Sequence, residues 1–279
     1  MKILITGASG FVGRHVVKEL LKYDHEIIIA GRDKNFPGKE KANFISFDLD
    51  TLDKNKNHFA YFDAPDVLIH LAWQGLPNYK SLFHFEKNLM SHYFFLKNLV
   101  ENGLKKLTVT GTCFEYGIKE GCLSEDMITD PQNPYGLAKD TLRKFLSELQ
   151  MRNNFDLKWI RLFYMYGEGQ NSNSLLSQLQ SALDKGDEWF NMSGGEQERD
   201  YLPAEKVAEN IVAVSMQDKI SGVINCCSGK PVKVKNFVEN YLKRTNQKVK
   251  LNLGYYPYPD YEAMSFWGDD SKLKKAINT

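Results

Sequence analysis

The sequence lacks any apolar run long enough to cross a lipid bilayer, and its few cysteines form no recognisable pattern. The longest apolar stretches, such as Val67–Ile69, fall far short of the roughly 20 residues of a spanning helix, so we predict no membrane association. No C-x-x-C pair occurs, which argues against a structural zinc site, and we expect no bound metal. We expect reduced thiols in a cytoplasmic protein at the four cysteines, Cys113, Cys122, Cys226 and Cys227.

An excess of one charge is absent as well. The 279 residues include 36 basic and 35 acidic side chains, which gives a net charge of +1. A nucleic-acid-binding protein usually carries a basic patch, so we predict no nucleic-acid partner. Few of the basic residues are arginines, whose planar guanidinium binds phosphates in a defined geometry, and each arginine position is therefore informative.

No repeat or flexible linker divides the chain, and short β-branched runs alternate with helical stretches over its first two thirds. This alternation predicts an α/β fold with a doubly wound parallel sheet, whose strands are apolar because both faces are buried. We assign residues 1–166 to this main domain, with 200–225 returning to it, and 167–279 mainly to a smaller, interleaved C-terminal lobe. The predicted strands are Lys2–Thr6, Ile27–Ala30, Asn43–Phe47, Val67–Ala72, Leu107–Thr110 and Lys158–Phe163.

A glycine-rich turn connects the first strand to the first helix. Gly7, Gly10 and Gly13 allow a tight turn and close approach of the backbone, and Phe11 and Val12 place free N–H groups at the helix start. Such a turn binds the pyrophosphate of a dinucleotide, which predicts a Rossmann-type fold and a nicotinamide cofactor.

The end of the second strand indicates which nicotinamide cofactor binds. An acidic residue there accepts the ribose hydroxyls of NAD, whereas an arginine accommodates the extra phosphate of NADP. Because Arg32 precedes Asp33, we predict that NADP(H) is favoured over NAD(H).

A tyrosine and a lysine one helical turn apart follow a strand that ends in hydroxyl residues. Tyr135 and Lys139 share one helix face, and Thr112 lies at the edge where open α/β sheets bind ligands. A phenol beside an ammonium has a lowered pKa and exchanges a proton with a carbonyl or alcohol, while a hydroxyl holds the same oxygen. Tyr93 and Lys97 have the same spacing, but no such strand precedes them, and we interpret them as packing residues.

Together these motifs resemble the extended short-chain dehydrogenases/reductases, in particular the group that acts on nucleotide sugars. The resemblance implies cofactor contacts at Asp48, Leu49, Ala72, Asn88 and Lys139, besides the glycine-rich turn. It also implies substrate contacts at Thr112, Tyr135, Tyr164 and Arg199, the last as a phosphate clamp. The matching segments are Gly7–Gly13, Thr112–Gly117, Tyr135–Lys139, Arg161–Gly167, Arg199–Tyr201 and Phe266–Asp269.

Departures from the family pattern reduce the number of reactions that the chain is expected to catalyse. Sugar-nucleotide 4,6-dehydratases carry an Asp-Glu pair after the hydroxyl residue, where this chain has Cys113 and Phe114. Phe114 also occupies the position of the epimerising cysteine in fucose-synthase-type enzymes. The segment Gly111–Gly117 is most similar to reductases of CDP- or dTDP-4-keto-6-deoxyhexoses.

The leading hypothesis is therefore an enzyme that uses NADPH to reduce the 4-keto group of a nucleotide-activated 6-deoxyhexose. One alternative is a nucleotide-hexose 4-epimerase with tightly bound NAD, which Arg32 disfavours. Another is a non-catalytic sensor that binds NADP and a protein partner, which the intact Thr112, Tyr135 and Lys139 disfavour. Family members commonly pair helices in a homodimer, and the stripe Tyr93–Val100 fits either such an interface or the protein's own core.

Overall fold

A computed structural model of the protein describes residues 1–278. Its helices are α1 Phe11–Leu20, α2 His58–Tyr61, α3 Leu89–Glu101, α4 Pro134–Arg152, α5 Leu175–Lys185, α6 Ala204–Met216, α7 Val234–Thr245 and α8 Ser271–Ile277. Its strands are β1 Lys2–Thr6, β2 Glu26–Gly31, β3 Asn43–Ser46, β4 Val67–His70, β5 Lys106–Thr112, β6 Gly121–Leu123, β7 Asp156–Leu162, β8 Tyr164–Tyr166, β9 Trp189–Asn191, β10 Glu198–Pro203, β11 Gly222–Cys226, β12 Pro231–Lys233, β13 Lys250–Asn252 and β14 Phe266–Gly268. A π-helix, His84–Asn88, precedes α3, and 3₁₀ turns cover Lys39–Lys41, Leu49–Thr51 and Cys113–Tyr116.

Seven parallel strands form the central sheet in the order β11-β7-β5-β4-β1-β2-β3. The order reverses between β1 and β4, so the carboxyl ends of these strands flank the crevice where such sheets bind ligands. The predicted Rossmann-type fold is confirmed. Strand β5 continues two residues beyond the predicted Thr110, because Gly111 and Thr112 still pair with β7, and β4 ends at His70 rather than Ala72.

The sheet separates two hydrophobic cores, which explains the apolar strand sequences. In β1, Ile3 and Ile5 pack into the core under α1, α6 and α8, whereas Leu4 packs into the core under α3 and α4. Side chains alternate between the faces of a strand, so a strand covered by helices on both faces is apolar at most of its positions.

The C-terminal residues are divided between the main domain and a smaller lobe. Within the segment 200–225, α6 packs against α1, and β11 forms one edge of the central sheet. The lobe has its own core, which includes Leu179, Phe190 and Val238 from α5, β9 and α7. Strand β14 pairs with β6 and so returns the C-terminal region to the loop that follows β5. Among the described residues, no helix combines the length and apolarity needed to cross a membrane.

Candidate active site

The glycine-rich turn forms a cradle in which side chains would not fit. Gly7 has φ +78, and a Cβ there would lie 2.6 Å from the Ala72 backbone nitrogen at the end of β4. A Cβ at Gly13 would overlap the Gly7 carbonyl oxygen. Helix α1 begins at Phe11 without a side-chain cap, so its first N–H groups are available to an anion. These residues fit the pyrophosphate of a dinucleotide.

A cavity of about 240 Å³ extends from this turn along the ends of β2 and β3. Arg32, Asp48, Leu49 and Ala72 line it, as do Gly7 and Gly10. The Arg32 side chain is exposed. Asp33 is also exposed and lines the same cavity, and its carboxylate accepts the N–H of Asn35 at 2.8 Å within its own loop. Arg32 therefore has the freedom to meet a ligand at this end of the site.

Asn88 is the one predicted cofactor residue that lines neither described cavity. It is buried at the end of the π-helix, and its amide donates to the Gln74 carbonyl oxygen at 2.9 Å. Gln74 itself lines the smaller cavity. The structure thus places Asn88 behind the cavity wall, where it fixes the loop that follows β4.

A second cavity, of about 670 Å³, brings the three predicted catalytic residues together with the glycine-rich turn. Thr112, Tyr135 and Lys139 line it, and each is buried. Helix α4 begins as predicted: the Asn133 side chain accepts the Gly136 N–H at 2.8 Å, and a proline follows at the first helical position. The start of α4 lies against the turn after β5, which sets Tyr135 opposite Thr112.

Lys139 is a buried amine whose contacts carry little negative charge. Its Nζ donates to the Thr110 carbonyl oxygen at 2.8 Å and lies 4.1 Å from the centre of the Trp73 ring. Burial lowers the pKa of Lys139 to about 7, although the charge of Glu115 opposes this change.

Tyr135 lies among aromatic rings, with Tyr79 and His84 centred 5.5 Å and 5.3 Å from its own ring. Burial raises the pKa of Tyr135 well above its ordinary value, the Tyr79 and Glu115 charges add to this, and a hydrogen bond with Thr112 opposes it. The pKa of Tyr135 is therefore raised, not lowered by Lys139 as predicted, because burial of the phenol disfavours the phenolate. Tyr135 is a protonated phenol, suited to donate a proton.

The other two predicted substrate residues, Tyr164 and Arg199, are neighbours, but only Tyr164 lines a described cavity. Tyr164 lines the larger cavity, and within the described residues its buried hydroxyl has no hydrogen-bond partner. Arg199 lines neither described cavity. Its guanidinium is buried, bonds to Glu262 at 2.8 Å and lies 4.6 Å from the centre of the Phe266 ring. The structure therefore places Arg199 in an internal ion pair rather than at a site for phosphate.

Sequence reasoning missed Trp73 and Tyr79. Trp73 lines both cavities, packs against Lys139 and donates its indole N–H to His84 at 3.1 Å. Its position directly after Ala72, a predicted cofactor contact just beyond β4, is a signal that could have identified it. Tyr79 carries no comparable signal, because a loop brings it to Tyr135, where its carbonyl accepts the Tyr135 N–H at 3.1 Å.

Known proteins with similar sequences act on nucleotide sugars. The chain is 33% identical to dTDP-6-deoxy-L-talose 4-dehydrogenase (NAD(+)) of Aggregatibacter actinomycetemcomitans, over 96% of this chain and 99% of the relative. It is 25% identical to dTDP-4-dehydro-6-deoxyglucose reductase of Escherichia coli, over 89% and 83% respectively.

The fold also matches solved structures. UDP-N-acetylglucosamine 4-epimerase from Methanobrevibacter ruminantium superposes with a TM-score of 0.86 at 22% identity, over 99% of this chain and 91% of that one. The sequence profile of the NAD dependent epimerase/dehydratase family matches residues 3–227. The chain thus belongs to the NAD dependent epimerase/dehydratase family, within the extended short-chain dehydrogenases/reductases, and is an enzyme of that family.

Proposed function

We propose that the protein reduces the 4-keto group of a nucleotide-activated 6-deoxyhexose, dTDP- or CDP-linked, with NADPH as the reductant. The observation that carries this proposal is the convergence of Thr112, Tyr135 and Lys139 in the cavity that also contains the glycine-rich turn. A bound dihydronicotinamide supplies the two electrons and the hydrogen that the ketone carbon receives.

The protein's own residues act on the ketone oxygen. Tyr135 gives its phenolic proton to the oxygen as negative charge develops there, and Thr112 donates a hydrogen bond to the same atom. Lys139 holds the cofactor's ribose and stabilises the phenolate that Tyr135 becomes. Tyr164, which lines the same cavity, contacts the sugar nucleotide.

Two features support a 6-deoxy sugar and a simple reduction. The rings of Tyr79 and Phe114, centred 4.9 Å apart, form an apolar wall beside Tyr135 that suits a methyl group next to the ketone. Burial raises the pKa of the Cys113 thiol to about 12, which makes it a poor base for dehydration or epimerisation. The names of the two relatives quoted above both describe redox chemistry at C4 of a dTDP-6-deoxy sugar.

NADPH is proposed over NADH because the Arg32 side chain is exposed and lines the smaller cavity near the end of β2. The name of the 33% identical relative specifies NAD(+), so the preference needs a direct measurement. A hydrogen bond to a charged group contributes about 1.5–3 kcal/mol. We expect Arg32→Ala to lower the ratio of kcat/KM for NADPH over NADH about 10- to 150-fold; an unchanged ratio would contradict the assignment.

The reaction is tested by mixing purified protein with NADPH and dTDP-4-keto-6-deoxyglucose, or its CDP counterpart, and following NADPH loss and the reduced sugar. Tyr135→Phe should lower turnover by about 10²- to 10⁴-fold, the usual contribution of a general acid, with NADPH binding nearly unchanged. Retained turnover would refute the role of Tyr135. Interconversion of sugar nucleotides without NADPH loss would identify a 4-epimerase instead. Cofactor binding without turnover of any sugar nucleotide would identify a non-catalytic sensor.

A further inference from the structure

A buried carboxylate lies directly behind the end of β5. Glu115 is fully buried in the 3₁₀ turn that follows the strand. Its Oε1 accepts the Thr112 N–H and the Trp159 indole N–H, each at 2.9 Å, and its Oε2 accepts the Arg161 Nε–H at 2.8 Å. A Cβ at Gly111 would overlap this carboxylate and the indole, so the glycine makes room for the cluster.

These contacts determine whether the Thr112 hydroxyl acts as a hydrogen-bond donor or as an acceptor. The Thr112 N–H is bonded to Glu115, and the Thr112 Oγ1 accepts the Phe114 N–H at 3.3 Å, so both ends of a capping box are closed. Because the Phe114 N–H occupies one acceptor site of Oγ1, the hydroxyl keeps its own proton for donation to another acceptor. The side chain lines the larger cavity beside Tyr135. Thr112 is thereby oriented as a hydrogen-bond donor.

We propose that Glu115 is a positioning residue of the reaction: its carboxylate, held by Arg161 and Trp159, fixes Thr112 as the donor to the substrate's ketone oxygen. The inference rests on the proposed function, because it names the support for one of the groups in that reaction. Glu115 does not touch the substrate, since it lies outside the lining of both cavities.

The cluster requires a carboxylate and not merely a side chain of this shape. Thr112 and Arg161 both present N–H donors, and a carboxylate accepts from both through its two oxygens. In Glu115→Gln, one of these oxygens becomes an NH₂ group. If the amide oxygen faces Thr112, the NH₂ opposes the Arg161 donor; if it faces Arg161, the NH₂ opposes the Thr112 N–H.

A double-mutant cycle separates positioning of Thr112 from general structural support. Thr112→Val removes the hydroxyl at constant shape and should lower kcat about 100-fold, as the loss of one oxyanion donor does. Glu115→Gln alone should lower kcat about 10-fold or more, with a smaller change in the KM for the ketone. In the Thr112→Val background the same change should lower kcat less than about 2-fold, because the group it positions is gone.

A matched control and a substrate-free measurement complete the design. Asp200 is another fully buried carboxylate that accepts backbone N–H groups, from Ser228 at 2.7 Å and Gly229 at 2.9 Å, away from both cavities. Asp200→Asn should leave kcat per folded enzyme unchanged. Hydrogen–deuterium exchange at the Thr112 amide should accelerate about 10-fold or more in Glu115→Gln and not in Asp200→Asn.

The outcomes distinguish this inference from the proposed function. Absence of NADPH loss with the wild-type protein contradicts the proposed function, whereas the exchange experiment needs no substrate and still decides whether Glu115 holds Thr112. Additive losses in the cycle, a wild-type kcat in Glu115→Gln, or unchanged exchange at Thr112 would each overturn the inference. Thermal unfolding of both variants confirms that the assays compare folded proteins.

Discussion

Replacing Lys139 by methionine should stabilise the protein at neutral pH while it removes activity. The lysine is buried beside a carbonyl oxygen and the Trp73 ring, and burial lowers its pKa from 10.5 to about 7. This difference corresponds to about 5 kcal/mol that favour the unfolded chain, in which the amine is fully hydrated. Methionine has a similar length and carries no charge into the site.

The pH dependence of this effect has a definite sign. Above pH 10.5 the amine of Lys139 is neutral in both states and carries no penalty. As the pH falls from 10.5 to about 7, the unfolded chain binds a proton that the native state does not, and wild-type stability falls by about 1.4 kcal/mol per pH unit. Below pH 7 both states bind the proton, and the penalty stays constant. The variant lacks this dependence.

The net gain is smaller than the electrostatic penalty, because methionine leaves the Thr110 carbonyl oxygen unpaired. An unsatisfied buried acceptor costs about 1–3 kcal/mol, so we expect Lys139→Met to be more stable by about 2–3 kcal/mol at pH 7 and by about zero at pH 9. Urea or thermal unfolding at pH 7, 8 and 9 measures the difference. A variant no more stable than wild type at pH 7, or a gain that does not shrink with rising pH, would refute the reasoning.

Lys158 provides the matched control. It is equally buried, but its Nζ bonds to the Asp156 carboxylate at 2.5 Å and to the Gln217 carbonyl oxygen at 2.6 Å. Lys158→Met removes the side-chain donor, so the Asp156 carboxylate and the Gln217 carbonyl oxygen each lose a hydrogen-bond partner. We expect this variant to be less stable than wild type over the same pH range.

Two further changes address the cofactor cradle and the internal ion pair. In Gly13→Ala the new methyl group would overlap the Gly7 carbonyl oxygen, so the turn must open. We expect NADPH affinity, measured by fluorescence titration, to fall at least about 10-fold. An unchanged affinity would contradict the role of this turn in cofactor binding. Glu262→Gln leaves the buried Arg199 guanidinium without its anionic partner, so the free energy of unfolding should fall by about 3–5 kcal/mol in urea titrations. If the variant keeps its stability and its affinity for the sugar nucleotide changes instead, Arg199 contacts the substrate.

The parts of the fold that local sequence controls were predictable. All six predicted strands lie in the central sheet, because strands covered on both faces are mostly apolar and so stand out in the sequence. Strand ends were less accurate: the pairing of Gly111 and Thr112 with β7 depends on a partner 50 residues away. The pair Tyr135 and Lys139 was recognisable since its spacing is set within one helix.

Residues whose roles depend on distant partners could not be assigned from the sequence. Arg199 carries a local pattern typical of a phosphate clamp, yet its partner Glu262 lies 63 positions later, on a segment that only the fold brings near. The same holds for Glu115, which reaches Trp159 and Arg161 across β5 and β7. A local motif identifies which chemistry a side chain offers, and only the tertiary structure decides whether another residue already uses it.

Burial shifts the pKa values of the two titrating residues of the site in opposite directions. It raises the pKa of Tyr135 and lowers that of Lys139 to about 7, because burial disfavours the charged form of each. At neutral pH the phenol therefore carries its proton before the substrate arrives, which is the state that reduction of a ketone consumes. The resting site thus holds the proton that the proposed reduction would consume.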